Sequence, residues 1–158
     1  MRYLEELKRQ CEDAMKAKPR RVFEMKDESD LDGVEHAIYV IDEIGGDPNK
    51  TFDRYSEYRK TQSEKDKKDK RACAALNAPS PTLYVGSSTK GIRSRVRQHV
   101  GEGPNGTYAL HLKHWFEGKY KITIRDYGDL DRSIIQLIED DLSYELKPAF
   151  GKKGGNGK

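Results

Sequence analysis

The sequence predicts an α+β fold, with a small, mostly antiparallel sheet of three strands flanked by helices. Three short runs rich in β-branched and aromatic residues, HAIYVIDE, TLYVG and YKITIRDY, have the composition of strands. Helical patterns lie around them, and three strands are too few for a doubly wound parallel sheet. Because 34% of the 158 residues are hydrophobic and 36% are charged, we expect one small core with long polar appendages.

The N-terminal segment predicts a helix. Leu4, Leu7 and Cys11 recur at helical spacing, and Pro19 ends the pattern. The RRVFEM segment that follows is typical of a short extended piece, and DESDLDG of an acidic loop. We therefore predict that residues 1–35 form a helical extension that covers the core or a partner subunit.

A long charged tract separates the first two predicted strands. The first strand has a buried run from Ala37 to Ile41 and ends at the turn EIGGDPN. Residues 50–76 contain no Pro or Gly and carry pairs such as Glu64 and Lys68 one helical turn apart, which predicts a largely exposed helix. We interpret residues 43–81 as a solvated insertion rather than a functional arm. If it contacts DNA, the available basic residues are Arg54, Arg59, Lys60, Lys65, Lys67 and Lys68.

The second predicted strand is followed directly by a segment rich in basic residues. TLYVG is followed by SSTKGIRSRVRQH, in which residues 90–97 hold four basic residues and no acidic one. The spacing predicts a helix from Ile92 to Val100, with Arg95 and His99 one turn apart and able to face one anion. An ordinary basic surface helix explains Arg93 and Arg97, but it explains Arg95 and His99 less well because they lie beside the face of Ile92 and Val96. A nucleotide-binding loop is excluded because GSSTKG does not match G-x-x-x-x-G-K-[ST].

The C-terminal third predicts helix, strand and helix. TYALHLKHWF predicts a helix, in which His111 and His114 are interpreted as core or surface histidines rather than metal ligands. After the strand YKITIRDY, the last helix begins at Asp129 or Asp131 and ends before Pro148. Residues 152–158 are predicted to be a flexible tail.

Glu139 lies at the margin of the apolar face of this last helix. A carboxylate there is costly unless a cation meets it, which makes Glu139 a candidate metal ligand or salt-bridge partner, although it could also simply reach solvent. The apolar face is formed by Ile134, Ile135, Ile138, Leu142 and Leu146.

Composition bounds the cellular setting and the partners. The net charge of +3 is too balanced to prove a nucleic-acid partner by itself. Cys11 and Cys73 lie far apart, without metal-ligand spacing, which is typical of a reducing cytoplasm. No apolar run approaches membrane-spanning length, so we predict a cytoplasmic protein that does not bind membranes.

Four of these features, taken in order, resemble the GIY-YIG endonuclease superfamily. They are Ala37-Ile38-Tyr39, Tyr84-Val85-Gly86, Arg95 with His99, and Glu139 followed by DDLSYELKPAF. The resemblance covers residues 36–151 and implies that they form the catalytic domain of a DNA endonuclease.

The resemblance also implies a role for each residue. Glu139 would hold one Mg²⁺ or Mn²⁺, Arg95 would clamp a phosphate oxygen, and Tyr39 would take a proton from water after nearby cations lower its pKa. Tyr84 and His99 would orient the water or the Tyr39 hydroxyl. Double-strand cleavage would require two active sites, hence a homodimer or sequential nicks.

Three positions depart from the family pattern. Ala37 replaces the first Gly, the charged tract lengthens the connection between the two tyrosine strands, and Gly151 replaces the Asn that usually follows the last helix. Asn156 could substitute only if the tail folds back. Two alternatives follow: a catalytically weak or inactive DNA-binding module on the same fold, and a protein-interaction domain that uses the charged insertion and the N-terminal helix.

Overall fold

Four strands form one open antiparallel sheet in the computed structural model, which describes residues 2–152. With four helices they make an α+β fold, as the sequence predicts. The elements are α1 (Arg2–Lys16), β1 (Arg21–Glu24), β2 (His36–Ile44), α2 (Pro48–Ser63), β3 (Thr82–Ser88), α3 (Ile92–Val100), β4 (Lys119–Gly128) and α4 (Arg132–Leu146). In the sheet the strands lie in the order β1-β4-β2-β3.

The central strand β2 is buried on both faces. Ala37 to Ile41 are all buried, which confirms the interpretation of this run as a core strand. β2 pairs with β3 on one side and β4 on the other, and Tyr39 lies opposite Gly86 in the register with β3. The two tyrosine-bearing strands are therefore direct neighbours.

The prediction of three strands was wrong, because β1 adds a fourth strand at the edge of the sheet. Arg21 pairs with Asp126 of β4. The Asp126 carboxylate is fully buried and receives the Nε groups of Arg20 at 3.0 Å and Arg21 at 3.1 Å. The strand has only four residues, and Phe23 alone is partly buried, so its apolar pattern is too short to predict a strand. Residues 1–35 are therefore not only helical.

α4 covers one face of the sheet. Ile135 packs there with Ile38, Val40 and Val85. The helix begins after Asp131, whose carboxylate accepts the Ser133 N–H at 2.9 Å, and it ends before Pro148. Leu146 is exposed, so the predicted apolar stripe stops one turn earlier. α1 packs along α4 and buries no residue completely.

The second face of the sheet packs against α3, α2 and an irregular segment around Leu110. α3 has the predicted bounds and buries Ile92 and Val96. The larger apolar core lies here and includes Ile41, Tyr55, Leu83, Leu110, Ile124 and Phe150.

The prediction of a largely exposed helix over residues 50–76 was wrong. α2 ends at Ser63, and only the lysine-rich segment from 63 to 70 is exposed throughout. Phe52, Tyr55 and Tyr58 follow one another at one-turn spacing, and Tyr55 is fully buried against the core. Residues 48–62 therefore contribute to the fold instead of projecting from it.

The predicted helix TYALHLKHWF is also absent from the structure. Only residues 112–114 form a single 3₁₀ turn, because His111 adopts a left-handed conformation with φ of 53°. Ring nitrogens of His111 and His114 contact the backbone carbonyls of Ala72 at 2.8 Å and Gly101 at 3.2 Å. His111 is buried and His114 is exposed, and each ring contacts a backbone carbonyl.

Three further predictions concern membrane-spanning segments, the cysteines and the tail. No helix among residues 2–152 is long and apolar enough to cross a membrane. Cys11 and Cys73 are both free thiols. Asn156 and all of the predicted tail except Lys152 lie outside the described residues.

Candidate active site

The structure brings the five predicted site residues together between the sheet, α3 and α4. Tyr39, Tyr84, Arg95 and Glu139 line one pocket of about 270 Å³, and His99 contacts Tyr39 from behind. The other lining residues are Val85, Gly86, Ser87, Thr89, Arg132, Ile135, Gln136 and Lys152. Two phenols, a guanidinium and a carboxylate therefore share one cavity.

The two tyrosines stack, and Gly86 makes room for them. Their rings are 6.0 Å apart between centroids and inclined by only 3°. A β-carbon at position 86 would come within 3.0 Å of the Tyr39 hydroxyl. Glycine is thus required because the strand backbone approaches the end of the Tyr39 ring.

His99 is fully buried, and its contacts define which nitrogen carries the proton. The backbone N–H of Leu110 donates to Nδ1 at 3.2 Å, so Nδ1 holds no proton. Burial and the Arg95 charge lower the pKa of His99 well below its usual value, so the ring is neutral. Its proton therefore lies on Nε2, which donates to the Tyr39 hydroxyl oxygen at 3.0 Å.

The Tyr39 hydroxyl therefore uses its oxygen, and not its proton, in the hydrogen bond with His99. Its oxygen accepts from His99, and no acceptor for the phenol proton is present among residues 2–152. Burial raises the pKa of Tyr39 strongly, and Arg95 opposes this rise only in part. The expectation that nearby cations lower this pKa thus fails for the protein groups alone, because desolvation exceeds the attraction of Arg95.

Arg95 is held in place by three hydrogen bonds. Nη1 donates to the Gln98 side chain at 2.7 Å and to the Tyr108 carbonyl at 3.1 Å, and Nη2 donates to the Tyr84 hydroxyl at 3.1 Å. A guanidinium has five N–H donors. The two donors outside these bonds lie at a pocket wall, where Arg95 is also close enough to the Tyr39 hydroxyl to favour the charged form of that phenol.

The neighbouring arginines of α3 have a different role. Arg93 forms an ion pair with Asp32, and Arg97 with Glu28, both in the acidic segment before β2. Neither arginine lines the pocket. This agrees with their interpretation as ordinary basic surface residues and leaves Arg95 as the one α3 arginine in the cavity.

Glu139 has no cationic partner in the described part of the chain. Gln136 donates to its carboxylate at 3.0 Å, but no Lys or Arg nitrogen of residues 2–152 lies within 4.0 Å of it. Burial raises its pKa, and hydrogen bonds from Ser87 and Gln136 partly oppose this. The salt bridge considered from the sequence does not form, so the carboxylate is available to a metal ion.

The donor set fits a hard cation that keeps most of its water. Among residues 2–152 no group of three or more His, Cys, Asp or Glu side chains could hold a metal. Mg²⁺ commonly binds through one or two carboxylates, several waters and substrate phosphate oxygens. Glu139, as the carboxylate of a pocket lined mainly by polar side chains, meets that requirement.

Gly151 cannot carry the asparagine of the family pattern. Its φ is 97°, and a β-carbon there would lie 2.6 Å from the Tyr84 ring. An asparagine from elsewhere supports this segment, since the Asn77 amide donates to the carbonyls of Pro148 and Gly151 at 3.1 Å each. The Tyr84 ring thus packs on backbone where a side chain would collide with it.

Sequence reasoning missed the residues that hold the site together. Gln98 and Gln136 bind Arg95 and Glu139, and Ser87 assists Glu139. The two glutamines lie three residues from their partners on the same helix, a spacing that could have indicated them. Leu110 and Tyr108 contact His99 and Arg95 through backbone groups, and such contacts have no signature in the amino-acid sequence.

Comparisons with family models, curated proteins and solved structures give no match for this chain. The case for a function therefore depends on the geometry of the pocket.

Proposed function

We propose that this protein is a metal-dependent DNA endonuclease that hydrolyses phosphodiester bonds. One observation carries the proposal: Arg95 and Glu139 line the same pocket but form no ion pair with each other. Opposite charges left unpaired in one cavity suit a ligand that bears both a negative group and a cation. A phosphodiester with bound Mg²⁺ or Mn²⁺ is such a ligand.

Arg95 would bind the scissile phosphate. Its two remaining N–H donors would reach a non-bridging oxygen, and a guanidinium suits this better than an ammonium because its planar fork matches phosphate geometry. Hydrogen bonds to Gln98, Tyr108 and Tyr84 hold the fork before the substrate arrives. Positive charge at this position stabilises the crowded, negatively charged transition state.

Tyr39 would act as the general base. Its phenol proton leaves to solvent in the pocket, and the phenolate then accepts a proton from the attacking water. The His99 Nε2–H and the Arg95 charge both stabilise the phenolate oxygen. Because burial raises the pKa of Tyr39, cleavage should become faster as the pH rises above neutrality.

Glu139 would hold the divalent cation. When bound, a cation of this kind polarises the phosphate and stabilises the departing 3′ oxygen. The carboxylate remains oriented by Gln136, which also donates to Asp140. Ser87 on β3 also lowers the pKa of the Glu139 carboxyl, so groups of both the helix and the strand favour its charged form.

Cleavage of supercoiled plasmid tests this proposal. We expect nicking by the wild type with Mg²⁺ or Mn²⁺, loss of nicking in EDTA, and loss in Arg95→Ala and Glu139→Ala. Arg93→Ala is the matched control, because it removes an arginine from the same helix outside the pocket. Cleavage that survives both pocket substitutions would contradict the proposal.

A catalytically weak or inactive DNA-binding module is the second candidate. It is favoured by the raised pKa of Tyr39, which keeps the phenol protonated at neutral pH. A folded wild type that binds DNA with steep salt dependence but cleaves nothing, with either metal and up to high pH, would support this candidate.

A further inference from the structure

A second, larger cavity opens beside the candidate active site. It has a volume of about 590 Å³ and lies between the C-terminal half of α2, residues 67–73 and the loop at residues 106–108. We call it the basic groove. It is lined by Ser56, Arg59, Lys60, Gln62, Ser63, Lys67, Lys70, Arg71, Ala72, Cys73, Gly106 and Tyr108.

The groove carries positive charge only. Five of its lining residues are Lys or Arg, and none is Asp or Glu. None of these five forms an ion pair within residues 2–152, although Arg93 and Arg97 on α3 do. Asp66 and Asp69 belong to the same lysine-rich segment but do not line the groove. Unneutralised positive charge of this density is suited to a polyanion.

Tyr108 places an exposed aromatic ring at the groove. Its relative exposure is 71%, so most of the ring is accessible to a ligand. The loop that carries it is anchored, because the Ala72 N–H donates to the Asn105 carbonyl at 2.7 Å. Residues 72–74 also pair with Ala109, directly after Tyr108. The ring is therefore held on a backbone that has defined contacts.

One hydrogen bond joins the groove to the candidate active site. The carbonyl of Tyr108 accepts from Nη1 of Arg95, whose guanidinium lines the catalytic pocket. A DNA strand whose phosphate is bound by Arg95 would contact Tyr108 next, and then the lysines and arginines of the groove.

We propose that the basic groove binds a single-stranded segment of the DNA substrate next to the scissile phosphate. The bases stack on Tyr108, and the phosphates follow Arg59, Lys60, Lys67, Lys70 and Arg71. An exposed aromatic ring beside a basic groove favours a single strand, because the bases of a duplex are already stacked on one another. This inference rests on the proposed endonuclease function for the position of the scissile phosphate, and it names the substrate class as DNA with an unpaired segment.

Fluorescence anisotropy with a labelled 15-nucleotide oligothymidine and a duplex of equal length tests the proposal. EDTA is present throughout, so that no cleavage occurs. We expect the single strand to bind more tightly than the duplex at equal salt. Tyr108→Ala should weaken single-strand binding roughly 5- to 150-fold, which is the usual contribution of one stacked base. Tyr108→Phe should bind like the wild type because it keeps the aromatic face.

Matched controls separate the groove from general surface effects. Tyr3→Ala removes another exposed tyrosine, from α1, and should leave binding unchanged. The double variant Lys67→Ala/Lys70→Ala should make the slope of log K against log salt shallower by about 1.4, given about 0.7 per phosphate contact on a single strand. Lys8→Ala/Lys16→Ala removes the same charge from α1 and should leave the slope unchanged.

Three results would overturn the proposal. They are equal affinities of Tyr108→Ala and Tyr3→Ala, a duplex that binds as tightly as the single strand, and an unchanged salt slope for the groove lysine variant. Plasmid cleavage tests the endonuclease function independently of these binding measurements. Strand binding that depends on Tyr108, in a protein that never cleaves plasmid, would support the groove and contradict only the nuclease.

Discussion

Two buried tyrosines on the same side of the sheet differ in how many hydrogen bonds their hydroxyls form. Tyr55 is 0% exposed, and its hydroxyl donates to the Ala109 carbonyl at 3.0 Å and accepts from the Ala74 N–H at 2.8 Å. Tyr39 is 1% exposed, and its hydroxyl accepts from His99 while its proton has no acceptor in the described chain. Burial raises the pKa of both phenols.

The difference separates a tyrosine whose hydroxyl bonds all go to the fold from one whose proton has no acceptor in the described chain, as the proposed role of Tyr39 requires. A buried polar group normally has all its hydrogen bonds satisfied, and an unused one at a pocket wall indicates a ligand or a reaction. Glu139 is partly buried, and its carboxylate forms no ion pair within residues 2–152, although Lys152 lines the same pocket. The core around Tyr55 is not fully satisfied either, because the buried Tyr58 hydroxyl has no hydrogen-bond partner in the described chain. The contrast therefore holds for the Tyr55 and Tyr39 hydroxyls themselves.

Gly86→Ala should have the largest effect of the substitutions that test this difference between Tyr39 and Tyr55. The added methyl group would collide with the hydroxyl end of the Tyr39 ring, which would have to shift away from its contact with His99. We expect cleavage to fall at least about 100-fold and stability by roughly 1–3 kcal/mol. Plasmid cleavage and thermal unfolding measure the two effects. Gly91→Ala is the control, since its new β-carbon would have only one neighbour, at 4.0 Å.

Tyr55→Phe should destabilise the fold without altering the pocket. Removing the hydroxyl deprives the buried Ala74 N–H and Ala109 carbonyl of a partner, which costs about 1–3 kcal/mol. Urea unfolding of the purified variant measures the loss. An unchanged midpoint would show that the Tyr55 hydroxyl is not the structural anchor described above.

Stability should fall as the pH drops below about 6.5, because two histidines have lowered pKa values. His99 and His111 stay neutral when folded, whereas the unfolded chain protonates them near that pH. We expect a loss of roughly 1.4 kcal/mol per pH unit from His99 alone. Asp30, Asp126 and Asp131 also have lowered pKa values, but their contributions are lost only below about pH 4.

Urea unfolding at pH 7.5, 6.5 and 5.5 measures this dependence. His99→Gln should flatten it, because the substituted side chain does not titrate. Equal slopes for the variant and the wild type would contradict the assignment of a neutral His99.

Glu139→Gln should have the smallest effect on stability and the opposite sign. Burial raises the pKa of Glu139, so the folded state disfavours its charge at neutral pH. Replacement by the neutral isostere should raise Tm by about 2–4 °C. Added Mg²⁺ should raise Tm of the wild type but not of the variant. A Tm that falls in Glu139→Gln would mean that the carboxylate supports the fold.

The parts of this protein that could be predicted from sequence are those with strong local patterns. The run from Ala37 to Ile41, the bounds of α3 and most of the apolar face of α4 follow from residue spacing. The expectation that Arg95 differs from Arg93 and Arg97 also follows, because Arg95 lies beside the Ile92 and Val96 face.

The failures occurred where tertiary contacts override local pattern. β1 is held by an ion pair with the distant Asp126, and the Leu110 N–H donates to His99 instead of extending a helix. Tyr55 is buried although a lysine-rich segment follows its helix. The proton position on His99, on which the role of Tyr39 depends, is determined by a backbone group eleven residues away.

A side-by-side measurement of cleavage by Tyr39→Phe and Tyr55→Phe tests the proposed reaction most directly. Both lose one buried hydroxyl, and single-turnover rates are measured with Mg²⁺ at a temperature where both variants are folded. We expect Tyr39→Phe to cleave about 10²- to 10⁴-fold more slowly than the wild type and Tyr55→Phe to cleave normally. Both variants should have a lower Tm, because each substitution deprives buried groups of a hydrogen-bond partner. Cleavage by Tyr39→Phe at the wild-type rate would contradict the assignment of Tyr39 as the general base.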